Sequence, residues 1–270
     1  MNQQIQPHNE KAAAMWSSGG RAYDEVSRFI AEGIEHCVIR LAPKPGERVL
    51  DIATGTGWTS RRVAAHGASV TGIDISEAML DAAREIAGEQ SLDIAYHLAD
   101  AEALPFADGA FDAVISTCGV MFAGNRDRAA AELARVCRKG GRLALMTWTP
   151  DSNAVEMRQI LAPFMPPAPT SSPPPSPFDW GRPEWLQETL GGDFDFGFET
   201  GTLHHRVADG DAAYAVLAAG FSPVKALVES LDDQQRALAK AGLVAFHERY
   251  REGIGVSMPY EYLIAAGTRL

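Results

Sequence analysis

Apolar residues recur along this chain in two rhythms, one helical and one of strands. The first 20 residues are polar, with Gly19-Gly20 as a break. Between positions 23 and 41, Val26, Ile30, Ile34, Cys37 and Leu41 recur at helical spacing. Pro43, Pro45 and Gly46 end that helix, because proline cannot donate the next backbone bond. Residues 48–53 then read as a short strand, 58–66 as a helix and 69–74 as a second strand. Ser76 caps a helix in which Met79, Ala83, Ile86 and Ala87 share a face. Strands are expected over 93–98 and 111–117. Ala129, Leu133, Val136 and Cys137 stripe the next helix, with Gly140-Gly141 as its expected stop. Residues 142–148 make a fifth strand. A proline-rich stretch over 163–177 interrupts the alternation. Beyond it the pattern predicts a helix over 183–190, a period-two strand over 194–207 that alternates Phe194, Phe196 and Phe198, a helix over 232–251 and a closing strand over 260–268.

Strands alternating with helices imply a parallel sheet covered on both faces, hence a doubly wound α/β fold. In such sheets a ligand sits beyond the carboxyl ends of the strands, where strand order reverses. Chemistry is therefore expected just after Ala53, Asp74, Asp100 and Thr117.

Composition narrows the partners. The chain has 270 residues, 46% apolar and 22% charged, an ordinary globular mixture. With 24 Lys+Arg against 35 Asp+Glu the net charge is −11, a balance that repels phosphate backbones and argues against a nucleic-acid partner. Cys37, Cys118 and Cys137 are far apart and form no CxxC, so neither a disulfide framework nor a zinc site is indicated, and no metal is expected. No secretory pattern opens the sequence, and no stretch reaches the ~18 apolar residues of a membrane span. A cytoplasmic protein is the expectation.

The informative segment is Val49-Leu50-Asp51-Ile52-Ala53-Thr54-Gly55-Thr56-Gly57, a strand running through a glycine turn into a helix. Glycine allows the backbone to approach a ligand closely, and the helix start offers free N–H groups. A dinucleotide fingerprint would place a third glycine at position 60, where Ser60 stands. Asp74 ends the second strand, where a carboxylate can take both hydroxyls of a ribose. Leu98-Ala99-Asp100-Ala101 and the run Pro105-Phe106 to Phe111-Asp112 follow.

In this order the motifs resemble the class I S-adenosylmethionine-dependent methyltransferases, in the group of quinone-biosynthesis-like small-molecule enzymes. The resemblance covers roughly residues 40–150, and more loosely Asp179-Trp180-Gly181 and the closing strand. It implies a doubly wound, mostly parallel, seven-stranded Rossmann-like sheet with an inserted lid. It divides the chain into a helical arm (1–42), a donor-binding core (43–150), a proline-rich loop over the acceptor site (151–182) and the remainder of the same domain (183–270). Asp51 would hold the donor's amino group through water. Gly55 and Gly57 would let the backbone pass close, and Asp74 would take the ribose hydroxyls. Ile75 would pack on adenine, Asp100 would accept from the adenine amino group, and Ala101 would meet the ring edge. Ser116, Thr117 and Cys118 would line the methionyl side, and Tyr23 would stand near it. Ala53 replaces the family's first glycine, which implies modest crowding.

The resemblance implies S-adenosyl-L-methionine as cofactor, S-adenosyl-L-homocysteine as product, and a small, partly apolar acceptor methylated by in-line displacement. Trp16, Met121, Phe122, Phe178 and Trp180 are acceptor-side candidates, because aromatic and methionine side chains build apolar pockets. No catalytic triad is visible. His204, His205 and Tyr23 are the candidates for proton transfer, and on a strand the two histidines point to opposite faces. Two alternatives stay open: a non-catalytic donor-binding or scaffolding protein, and a nicotinamide-dependent oxidoreductase.

Overall fold

The computed structural model describes residues 5–166 and 176–270. Strands β1 (Arg48–Ile52), β2 (Ser69–Asp74), β3 (Ala95–Leu98), β4 (Phe111–Thr117) and β5 (Cys137–Trp148) are parallel and lie in the order β3-β2-β1-β4-β5. Beyond β5 comes β8 (Gly255–Arg269), antiparallel to it, and then β6 (Phe194–Val207) at the edge. A two-residue β7 (Arg251–Glu252) folds back on β8. The predicted sheet is present, with this short hairpin added.

Helices α1 (Glu10–Ser17), α2 (Tyr23–Phe29) and α3 (Ala31–Leu41) precede the sheet. α4 (Trp58–Ala64), α5 (Glu77–Glu89) and α6 (Arg126–Val136) connect the parallel strands. α7 (Asn153–Leu161) and α8 (Pro183–Leu190) lie between β5 and β6. α9 (Gly210–Gly220), α10 (Ser222–Ser230) and α11 (Asp233–Glu248) follow β6. From β1 the chain steps outward through β2 to β3, whereas β4 and β5 lie on the other side of β1. Right-handed crossovers therefore put α4 and α5 on one face and α6 on the other. The reversal opens a crevice between the carboxyl ends of β1 and β4.

The interior strands carry the core: Val49, Leu50, Ala113, Val114, Ile115, Leu143, Ala144, Leu145 and Met146 are buried. That pattern of near-continuous apolar residues is what a sheet covered on both faces requires.

Two local expectations are corrected and two helices are added. The helix expected over 23–41 is two helices, because Ile30 leaves helical geometry (φ −95°, ψ 9°) and lets α2 turn toward the crevice while α3 packs on β4, β5 and β8. α6 stops at Val136, and Cys137 is already extended and paired with Phe111. Gly140-Gly141 thus serve a β-bulge rather than a helix cap: pairing jumps from Phe111–Cys137 to Ala113–Arg142, and Gly140 takes φ +68° in the extra loop. Finally, α9 and α10 fill 210–230, where the apolar pattern shows no single stripe; they meet at a 90° bend. Among the described residues no single helix is long and apolar enough to cross a membrane.

Of the loop expected over the acceptor site, residues 167–175 lie outside the described residues. Its described parts pack into the body. α7 lies against β8 and α11, and the 3-10 turn Pro177–Gly181 docks on β5. Thr147 Oγ1 donates to the Trp180 carbonyl (2.9 Å), and a Cβ at Gly181 would collide with the Trp148 carbonyl.

Candidate active site

The turn after β1 is built on left-handed backbone: Ala53 (φ +56°), Gly55 (+55°) and Gly57 (+79°). Gly57 must be glycine, since a Cβ there would strike the Tyr96 hydroxyl. Opposite, in the turn after β4, Cys118 also has positive φ (+51°) and is followed by Gly119. Between these turns lies a cavity of about 110 Å³.

Most of the expected donor residues meet at this cavity. Tyr23, Ala53, Gly55, Asp74 and Ile75 line it, with Asp100, Ala101, Thr117 and Cys118 across from them. Asp51 and Gly57 do not line it and stand behind the turn; Ser116 is likewise behind, holding the Ile52 carbonyl (2.7 Å). Asp51 Oδ2 accepts from Thr54 Oγ1 (2.6 Å) and Ser60 Oγ (2.7 Å), whereas its Oδ1 has no partner among the described residues. Burial, joined by the nearby Asp74 charge and opposed by the two hydroxyls, pushes Asp51 up to about 6. Asp74 is also pushed up to about 6 by burial, against N–H groups at Gly55 (2.8 Å, to Oδ2) and Ser76 (2.9 Å, to Oδ1). Burial raises the Cys118 thiol and the Tyr23 phenol far above their ordinary values, so both stay protonated at neutral pH.

Helix α2 is anchored to the β1 turn. Asp24 Oδ1 accepts from Thr56 Oγ1 (2.9 Å) and from Arg61 Nη2 (3.0 Å). This places the Tyr23 ring against Gly55. Tyr23 joins Trp16, Phe122 and Phe221 in an aromatic group: Trp16–Phe122 centroids are 5.3 Å apart, and Tyr23–Phe221 6.4 Å. Ser222 Oγ donates to the Trp16 carbonyl (2.8 Å) and ties the α9–α10 corner to α1.

Other expected residues stand elsewhere. Met121, Phe178 and Trp180 are buried in the core and do not line the cavity, whereas the acceptor-side candidates Trp16 and Phe122 do. Phe178 and Trp180 instead belong to the turn Pro177–Gly181, which docks on β5. His204 is exposed, and His205 is buried with the Phe29 ring 4.5 Å away. Burial lowers His205 to about 4, and neither histidine lines the cavity. Sequence reasoning missed Asn9, Ile30, Ile34 and Trp58, all of which line it. Trp58 was findable, since it follows Gly57 directly; the isoleucines were read as ordinary core. Among the described residues, Asp74 and Asp100 are the charged residues of the lining, and no lysine, arginine or histidine joins them.

Strand order, the reversed β8 and a cavity over the β1 and β4 turns define a Rossmann-like fold of the methyltransferase type. Residues 50–145 match the family described as "Methyltransferase domain". That match covers about a third of the chain, and within it the fold is the Rossmann-like one of methyltransferases. It is 44% identical over 128 residues to an uncharacterized protein of Mycobacterium tuberculosis, covering 47% of each chain. It is 36% identical over 141 residues to the demethylmenaquinone methyltransferase of Clavibacter sepedonicus, covering 50% of this chain and 57% of that one. The matched part spans about half the length of these curated relatives. Among solved structures the fold resembles the YcgJ protein of Bacillus subtilis (TM-score 0.58, 17% identity, 88% and 97% of the two chains). It also resembles a Haemonchus contortus phosphoethanolamine N-methyltransferase in complex with S-adenosyl-L-methionine (TM-score 0.55, 17% identity, 88% and 52%).

Proposed function

We propose that this protein transfers a methyl group from S-adenosyl-L-methionine to a small, partly apolar acceptor. The observation that carries the reading is a cavity at the strand-order reversal that, among the described residues, offers two carboxylates and no cation, which suits a positively charged sulfonium compound. The unpartnered Oδ1 of Asp51 behind the β1 turn supports it further. A buried carboxylate oxygen without a donor marks a place where a ligand's ammonium, or a water bound to it, completes the bonding.

Each oxygen of Asp74 already takes one backbone N–H, which fixes the carboxylate and leaves a lone pair on each for the two ribose hydroxyls. Ile75 offers an apolar face to the base, and Asp100 accepts from its amino group. Thr117 and Cys118 face the methionyl side. When bound, the sulfonium supplies a methyl group already activated for in-line displacement, so alignment of the acceptor is the protein's main contribution. Trp16, Tyr23, Ile30, Ile34 and Phe122 form the apolar wall that would hold the acceptor and exclude water. Among the described residues that wall holds no histidine or lysine, which favours an acceptor whose nucleophile needs no strong protein base.

The test is turnover. The protein with S-adenosyl-L-methionine and a panel of phenols, amines, thiols and carboxylates should release S-adenosyl-L-homocysteine with at least one apolar member. Tight product binding with no turnover across a broad panel would favour a donor-binding scaffold instead.

A further inference from the structure

Asn9 ends the short 3-10 turn Pro7–Asn9 in the N-terminal arm, yet it is only 5% exposed and lines the cavity. Its side-chain nitrogen donates to two different acids in the loop after β3: Asp100 Oδ2 at 2.9 Å and Glu102 Oε1 at 2.8 Å. The surrounding bonds hold these acids in place. Gln6 N–H also donates to Asp100 Oδ2 (3.0 Å), and Glu102 N–H donates to Asp100 Oδ1 (3.0 Å). Asn125 N–H reaches Glu102 Oε1 (2.7 Å), and His8 Nε2 lies 2.7 Å from Glu102 Oε2.

The two oxygens of Asp100 are therefore unequal. Oδ2 carries two donors, both from the arm, whereas Oδ1 carries one. A carboxylate oxygen has two lone-pair sites, so the acceptor left over on Asp100 is on Oδ1.

We propose that Asn9 is a positioning residue for the donor's nucleobase. By committing Asp100 Oδ2 to the arm, it fixes the carboxylate so that Oδ1 alone meets the exocyclic group of the base. A fixed, acceptor-only oxygen welcomes an amino N–H and repels a carbonyl oxygen, so the site selects adenine over hypoxanthine. A carboxylate free to turn about its last torsion would discriminate less, because water could bridge it to either base. The proposal rests on the donor reading above and adds the residue that sets its base selectivity.

Calorimetric titration of the full chain with S-adenosyl-L-homocysteine and with S-inosyl-L-homocysteine separates the two claims. Wild type should bind the adenosyl compound at least about tenfold more tightly, the scale of one good hydrogen bond. Asn9→Ala should weaken the adenosyl compound by about tenfold and the inosyl compound much less, so that the ratio collapses. Trypsin cleavage after Lys11, slow in wild type, should become faster in the variant, and Asn9→Ser should behave in the same way if Asn9→Ala does not fold. Equal weakening of both compounds, or an unchanged ratio, would show that Asn9 merely seals the cavity and would overturn the proposal. A wild-type protein that binds neither compound would refute the donor reading itself, and this inference with it.

Discussion

The methyl group of Ala53 occupies space that Gly119 leaves free: a Cβ on Gly119 would lie 2.5 Å from that of Ala53. The two turns that form the cavity floor thus compensate each other, and the Ala53 methyl in the β1 turn is accommodated by a glycine in the β4 turn. Gly119→Ala should destabilise the protein by roughly 1–3 kcal/mol through overpacking. Ala53→Gly should relieve left-handed strain and stabilise by roughly 0.5–1 kcal/mol. The double variant should recover at least half of the Gly119→Ala loss. Denaturant unfolding of the four proteins checks this, and strictly additive effects would show that the turns are independent.

Burial raises both Asp51 and Asp74 from 3.8 to about 6. Between about pH 4 and 6 the folded chain then holds more protons than the unfolded chain. The contribution of these two groups to stability falls as pH rises through that window and is level above it. Donor binding should run the other way. A ligand ammonium needs ionised carboxylates, so affinity for S-adenosyl-L-homocysteine should climb through about pH 6 and flatten above 7. Asp51→Asn should raise stability at pH 7.5 by roughly 1–2 kcal/mol, since it removes a desolvated charge. It should also weaken product binding and flatten the pH dependence. Melting temperatures and calorimetry across pH 5–8 test both signs.

The central sheet and most residues around the cavity were legible because both are written in local sequence. A strand buried on both faces leaves an apolar run, and a ligand turn leaves glycines and acids at strand ends. The acceptor wall was not legible in the same way. Ile30 and Ile34 sit in a helical stripe that looks like any core face until Ile30 breaks the helix and turns α2 over the crevice. Helix α9 is apolar from Ala212 through Ala219, so no 3.6-residue period stands out there, and α10 after it is short and begins with Ser222-Pro223. Phe178 and Trp180 were misplaced because burial against β5 depends on long-range docking that a single sequence does not encode locally. Asn9 left no signal at all; its partners lie more than 90 residues away.

Arg61 is nearly buried and has one carboxylate partner, Asp24, at 3.0 Å. Removing that carboxylate leaves a cation in the protein interior with no anion beside it, held by the Thr56 carbonyl (2.6 Å) and the face of the Trp58 ring (5.4 Å to the centroid). Asp24→Ala should therefore cost roughly 3 kcal/mol or more of stability and free α2 from the β1 turn. A double-mutant cycle with Arg61→Met should show strong coupling. Near-zero coupling would mean that α2 is held by packing alone.

His204 is exposed and His205 is lodged beside Phe29, both outside the cavity lining. His204→Ala should leave turnover and its pH profile unchanged. His205→Ala should lower stability by roughly 1–3 kcal/mol through the cavity it leaves while the pH profile of the residual activity stays the same. A lost limb in either profile would restore a proton-transfer role.

The central claim is that an adenosyl compound binds over the β1 and β4 turns with its ribose on Asp74. Calorimetric titration with S-adenosyl-L-homocysteine, on wild type and Asp74→Ala, tests it most directly. Wild type should bind one equivalent, and the variant should bind at least about tenfold more weakly, a loss of ~1.5 kcal/mol. Equal affinity in the two proteins, or heat released by NADH and none by S-adenosyl-L-homocysteine, would contradict it.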